Sequence, residues 1–142
     1  MKTKTGSLML GVGIVLVAAL ACKFSASTAN ISALKLSKDK SASAETSTFE
    51  ANDTVYAVAT ISNAPGKVKV KGRLSFEDVA GQQPGPIPGL ETTLDLAGSG
   101  TATFNFTPPP DGWPKGKYKV EVMLLTEEGE QKDQKSATFT VS

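Results

Sequence analysis

Any chemistry in this chain has to be done without histidine, because its 142 residues contain none. That removes the commonest general base, the Ser-His and Cys-His nucleophile pairs, and imidazole metal sites. One cysteine, Cys22, and one tryptophan, Trp113, are the remaining residues of special reactivity or stacking power. Carboxylates are scattered at Asp53, Asp78, Asp95 and Asp111, with a cluster at Glu127, Glu128 and Glu130. Calcium takes such oxygens, but "TEEGEQKD" lacks alternating Asp or Asn ligands and reads as a solvated hairpin tip. Beyond the N-terminal region Met123 stands alone, so a methionine or histidine copper cluster has no counterpart. Nor does "GSG" at residues 98–100 complete a G-x-S-x-G elbow. With no nucleophile–base pair, metal set or cofactor motif in view, the expectation is a protein that is not an enzyme and holds neither metal nor cofactor.

Cys22 has a different chemistry open to it. Lys2 and Lys4 precede an apolar run of 14 residues, 8–21, broken only by Gly11 and Gly13. Such a run fits the core of a secretory signal and is shorter than the roughly 20 residues of a spanning helix. It ends Ala19-Leu20-Ala21, small residues flanking a larger one, as a signal peptidase cleft requires. Residues 1–21 are therefore expected to be a signal peptide. The stretch "VAALAC" resembles the lipobox of bacterial lipoproteins, with Ala19 where that motif favours leucine. The resemblance implies that the Cys22 thiol takes a diacylglyceryl group and becomes the mature N-terminus. Two other readings stay open: ordinary A-x-A cleavage leaving a free thiol, and a chance small apolar residue. Lys23, where aspartate is absent, implies sorting to the outer membrane in bacteria that follow that rule.

Residues 22–30 then form the lipidated cysteine and a short polar tether, and residues 31–142 one domain. Loss of Lys2 and Lys4 leaves 13 basic against 14 acidic residues, so the formal net charge goes from +1 to −1. Bulk charge therefore excludes a nucleic-acid binder. With no second cysteine the domain has no internal disulfide and relies on its apolar core.

Period-two alternation predicts seven strands and no helix, at residues 31–37, 53–62, 67–77, 90–96, 101–106, 117–125 and 136–141. The second is apolar on both faces and should lie centrally in its sheet. In the third, Val68, Val70, Leu74 and Phe76 share a face, with Gly72 in the inward slot where a neighbour would approach closely. Pro84, Pro86 and Pro88 alternate along residues 78–89, which are expected to be irregular. "AGSG" at 97–100 predicts a hairpin between the fourth and fifth strands.

Seven short strands with turn signals between them are the pattern of an all-β, antiparallel β-sandwich of immunoglobulin type. "DTVYAVATIS" and "DGWPKGKYKVEV" make the domain resemble bacterial immunoglobulin-like or fibronectin type III-like envelope modules. Tyr118, two residues ahead of the inward Val120, resembles the tyrosine corner, whose hydroxyl bonds backbone just upstream. The resemblance implies sheet crossings after the second and third strands, the latter on the proline-rich stretch.

It also implies that the third and sixth strands are neighbours. Lys67, Lys69, Lys71 and Arg73 would then lie beside Lys117 and Lys119, with Glu121 near the middle. Six cations against one acid would attract anionic headgroups or an acidic polysaccharide. Alternating lysines serve equally as a solvated face that discourages strand pairing. Trp113, in "PPPDGWPKG", could stack on a sugar ring or anchor a protein contact. It could also fold over the end of the sandwich as a lid on the core.

The expected protein is a lipid-anchored, non-enzymatic envelope lipoprotein of the outer membrane. It would bind or assemble with an envelope protein partner; the alternative is a carbohydrate or anionic-polymer module using the basic face and Trp113. Salt separates the two. A polymer binder should lose affinity steeply with salt, and on changing Lys69 and Lys71 to glutamate, in a titration against an acidic polysaccharide. A protein-binding module should show neither response.

Overall fold

A computed structural model describes residues 28–142; the signal region, Cys22 and most of the tether lie outside the described residues. Eight strands follow in order: β1 (Asn30–Ser37), β2 (Thr48–Phe49), β3 (Val55–Ser62), β4 (Val68–Val79), β5 (Gly85–Leu96), β6 (Gly100–Phe106), β7 (Gly116–Thr126) and β8 (Gln131–Val141). Among the described residues there is no helix. A three-stranded sheet, β1-β3-β6, packs on a five-stranded sheet, β2-β8-β7-β4-β5. All pairings are antiparallel except β2 with β8. That strand order is the immunoglobulin-like sandwich in a form whose fourth long strand joins the larger sheet.

Residues with period two meet between the sheets. Val55, Ala57, Ala59 and Ile61 of β3 face Val70 and Leu74 of β4 and Tyr118, Val120, Val122 and Leu124 of β7, all fully or almost fully buried. As its sequence predicts, β3 is the central strand of its sheet, and Gly72 fills the inward slot of β4. A Cβ at Gly72 would stand 2.7 Å from the Phe104 ring, so the missing side chain is what lets β6 pack down on β4.

The tyrosine corner is present. Tyr118 is fully buried, and its hydroxyl donates to the Pro114 carbonyl at 2.6 Å. Burial pushes the phenol up to about 12, so it remains a protonated donor. Its ring stacks on Phe139 at 5.2 Å and meets Trp113 at 5.9 Å, nearly perpendicular, while Phe49 meets Phe139 at 5.1 Å. These rings close one pole of the sandwich. Thr28 leaves from the other, where its hydroxyl donates to the Asn63 carbonyl at 3.2 Å.

Four expectations need correction. An eighth strand, the two-residue β2, pairs parallel with β8 at Thr48–Thr140 and Phe49–Val141; two residues are too few to show a period. The proline-rich stretch is partly ordered as strand, since β5 begins at Gly85 and pairs Gly85 and Pro86 with Phe76 and Ser75. Residues 87–90 then bulge opposite Leu74 before pairing resumes at Glu91. Because β5 is an edge strand, a proline nitrogen facing its open side loses no ladder bond. "AGSG" is no hairpin: β5 and β6 belong to different sheets, so the crossing falls there and the proline-rich turn joins two strands of one sheet. Finally, β8 starts at Gln131, and the acidic tip is a tight turn closed by Thr126 N–H to the Glu130 carbonyl at 2.8 Å.

Adding one methyl group at Gly72 should force the Phe104 ring outward. Gly72→Ala is expected to destabilise the domain by about 1–3 kcal/mol in urea unfolding. Gly66→Ala, where nothing lies within 4 Å of the added carbon, should stay within about 0.5 kcal/mol of the parent.

Candidate functional site

The basic stripe is assembled as its alternation implies, with β4 beside β7. The register sets Arg73 against Glu121, Ser75 against Lys119 and Lys71 against Met123. Glu121 is only 9% exposed and acts as the hub of this face. It accepts from Arg73 Nε at 3.1 Å and Nη2 at 3.4 Å, from Ser75 Oγ at 3.2 Å and from Gln134 Nε2 at 3.2 Å. Burial works to raise its pKa; the hydrogen bond and charge of Arg73, with Lys119 and Ser75, outweigh that and hold it below the ordinary glutamate value.

The face is less one-signed than six cations against one acid. Because β5 joins this sheet, it sets Asp95 opposite Lys69 and Glu91 opposite Arg73. Lys69 Nζ pairs with Asp95 Oδ1 at 3.0 Å, an exposed contact worth little in stability. Lys67 and Lys117 are exposed at the two ends, and Lys71 is half-buried between them. Arg73 is engaged by Glu121, and Lys119 lies in the field of the same carboxylate.

Trp113 is 4% exposed. Its indole N–H donates to the Asp53 carbonyl at 2.8 Å, and its backbone N–H to the Ala51 carbonyl at 2.7 Å. The ring therefore lies over the core, tying the β6–β7 loop to the turn before β3. The groove that Trp113 helps to line contains none of the lysines of the stripe.

That groove, about 330 Å³, is bounded by Phe76, Ile87, Pro88, Leu90, Pro109 and Trp113. It opens where the edge of one sheet overhangs the other. On this side the larger sheet ends in β5 and the smaller in β6. The β5 register places Leu94 and Leu96 on the same inner face as Val70 and Val68. Yet Leu94, Leu96, Leu90 and Ile87 remain half-buried where the facing valines are buried, since no strand of the smaller sheet extends over them. Groove and overhang lie along the inner face of β5, with the polar Thr92 between Leu90 at the groove and Leu94 and Leu96 beyond it. The leucines were visible in the sequence as one face of a strand. Their lack of cover was not, because that depends on which sheet the strand joins.

Among the described residues, no group of three or more carboxylates could hold a metal ion, and no helix is long and apolar enough to cross a membrane.

No family model matches the sequence, and no curated protein does. Solved structures match by shape. The soluble domain of PmoD from Methylocystis sp. is 20% identical, over 77% of this chain and 89% of that one, at a TM-score of 0.44. A β-glucuronidase from Bacteroides uniformis is 16% identical over 79% of this chain, at a TM-score of 0.50. This chain spans only 14% of that enzyme's length. An immunoglobulin-like protein from Pseudomonas aeruginosa is 11% identical, over 82% of this chain and 98% of that one, at a TM-score of 0.43. At such identities the likeness is one of fold alone.

Removing the hub's charge strands the groups that point at it. Glu121→Gln should cost about 1–3 kcal/mol in urea unfolding at neutral pH. The folded carboxyl titrates below its unfolded value, so its contribution is present above about pH 4.3 and is lost as pH falls through the folded value. The parent should therefore lose stability on acidification below that point, and the variant's profile should be flatter there.

Proposed function

We propose that this protein is a non-enzymatic module, tethered to a bacterial envelope membrane through lipid on Cys22, that binds or assembles with a protein partner. The observation that carries the binding role is the half-covered inner face of β5. Isolated apolar residues on a surface are ordinary, but an apolar groove with the half-covered Leu94 and Leu96 farther along the same strand face favours a protein contact. A polymer-binding role finds less support. The lysine stripe is interleaved with Asp95, Glu91 and Glu121, and the Trp113 ring is packed away from solvent.

Anchoring rests on the order of features before the domain: two lysines, an apolar run, small residues and then the only cysteine. A diacyl group holds a protein firmly where one acyl chain would not. Five residues separate Cys22 from Thr28, and the six steps between them span at most about 22 Å of chain. The Thr28 pole would therefore sit near the bilayer and the aromatic pole away from it.

Two measurements on the natively processed protein test this. Mass spectrometry of its N-terminal peptide should find Cys22 first and diacylated, and Cys22→Ser should move the protein out of the membrane fraction. An unmodified Cys22 with the protein still in the soluble fraction would overturn the anchor. Cross-linking in intact cells should recover one recurrent protein partner; recovery of glycan or lipid alone would overturn the binding role.

A further inference from the structure

We infer that the partner is bound by strand addition: an extended, uncharged segment of another protein pairs with the open edge of β6 and lays alternate apolar side chains on the half-covered leucines of β5. This rests on the protein-binding role proposed above and specifies its geometry.

Sheet edges carry unpaired backbone groups, and most edges of this sandwich are blunted. Edge strand β1 has a register shift between Ile31 and Ala33 and carries Lys35. Only two residues long, β2 covers just the end of β8, whose remaining edge carries Lys132, Asp133 and Lys135. On β5 the open side meets Pro86, Pro88, a four-residue bulge, Glu91 and Asp95. By contrast β6 runs seven residues, "GTATFNF", with no proline, no charge and no shift in its register with β3. Among the described residues nothing pairs with its far side. Natural proteins protect such edges unless the edge has a use.

The second observation is independent of the first. A strand added beside β6 would lie directly over Leu90, Leu94 and Leu96, which the smaller sheet leaves half-covered because it ends one strand short. The groove at Phe76, Ile87 and Trp113 would take a side chain at one end of that strand. Main-chain pairing would supply affinity and the β5 leucines specificity, the division of labour usual in strand addition. No charged side chain lines the groove, so the matching segment is uncharged on its inward side.

Other occupants fit less well. The five residues between Cys22 and Thr28 cannot both reach the bilayer and run along a 12-residue strand. Two copies joined through the same edge of β6 must run antiparallel, which turns their Thr28 poles in opposite directions. A 12-residue strand spans about 40 Å, so a tether of about 22 Å at the far pole would not reach the shared membrane.

The test places the photoreactive residue p-benzoylphenylalanine singly at Thr103, Leu90 or Lys71 of the full chain in its native host. Attachment points are then mapped by mass spectrometry. Thr103 and Leu90 should label one short stretch of one protein, at points a few residues apart, and Lys71 should not label it. A synthetic peptide of that stretch should bind the purified lipoprotein and protect β6 amides from hydrogen exchange. Leu94→Lys should weaken the peptide about tenfold, with the circular dichroism spectrum unchanged. Thr103→Lys, which adds a charge at the edge, should weaken it similarly. Labelling of a second copy, of lipid, or of residues scattered over a folded surface would overturn the inference, as would a peptide that leaves β6 amides unprotected. If Lys71 alone captures a protein, strand addition falls while the protein-binding role stands. If no position captures a protein, both fall.

Discussion

Tyr118 holds together the pole that carries the apolar groove. Its hydroxyl reaches back to the Pro114 carbonyl, four residues upstream, and its ring lies among Phe76, Trp113 and Phe139. The hydrogen bond pins the β6–β7 loop at Pro114 to the start of β7, and the ring contacts of Tyr118 hold Trp113 of that loop against the core. Trp113 is then set where its indole can bond the Asp53 carbonyl and its outer edge can wall the groove. An aromatic ring on a proline-rich loop would otherwise have many orientations. Here two backbone carbonyls and one buried phenol leave it one.

A single topological choice decides the character of the surface. After β4 the chain turns back beside it as β5 instead of crossing to the other sheet, and makes its next crossing at "AGSG". That puts Glu91 and Asp95 among the lysines and divides a basic stripe into short-range pairs. It also leaves the inner face of β5 overhanging a sheet that stops at β6. The polar consequence and the apolar one have the same cause. With the fourth long strand in the smaller sheet, the lysine face would have stayed one-signed and the edge of β6 would have been paired.

Glu121 shows how an outward-facing residue comes to be buried on such a sheet. Arg73 and Ser75 from β4 and Gln134 from β8 converge on its two oxygens from the strands flanking β7, and Met123, on the same strand as Glu121, is itself only 8% exposed. The arrangement is a structural clamp across β4, β7 and β8. It draws Arg73 out of any polyanion site and turns the centre of the face into framework, leaving its charged lysines at the margins.

Much of this molecule was legible in its residues before any contact was known. Strand periodicity is local, so the all-β class, the central place of β3, the inward faces of β4 and β7 and the close approach at Gly72 could be read from the residues, and the corner at Tyr118 from its resemblance to a known motif. The absence of histidine and the position of the lone Cys22 are likewise properties of the chain itself. Strand partnership is not local. Alternation says which residues share a face but not which sheet that face belongs to, and a glycine-rich turn of four residues can close a hairpin or bridge two sheets. Only the tertiary structure decided that β5 joins β4, that the prolines 86 and 88 sit on an open edge, and that the leucines of β5 lack a cover. Those outcomes depend on which long-range pairing buries more apolar surface, a comparison that no stretch of sequence makes by itself.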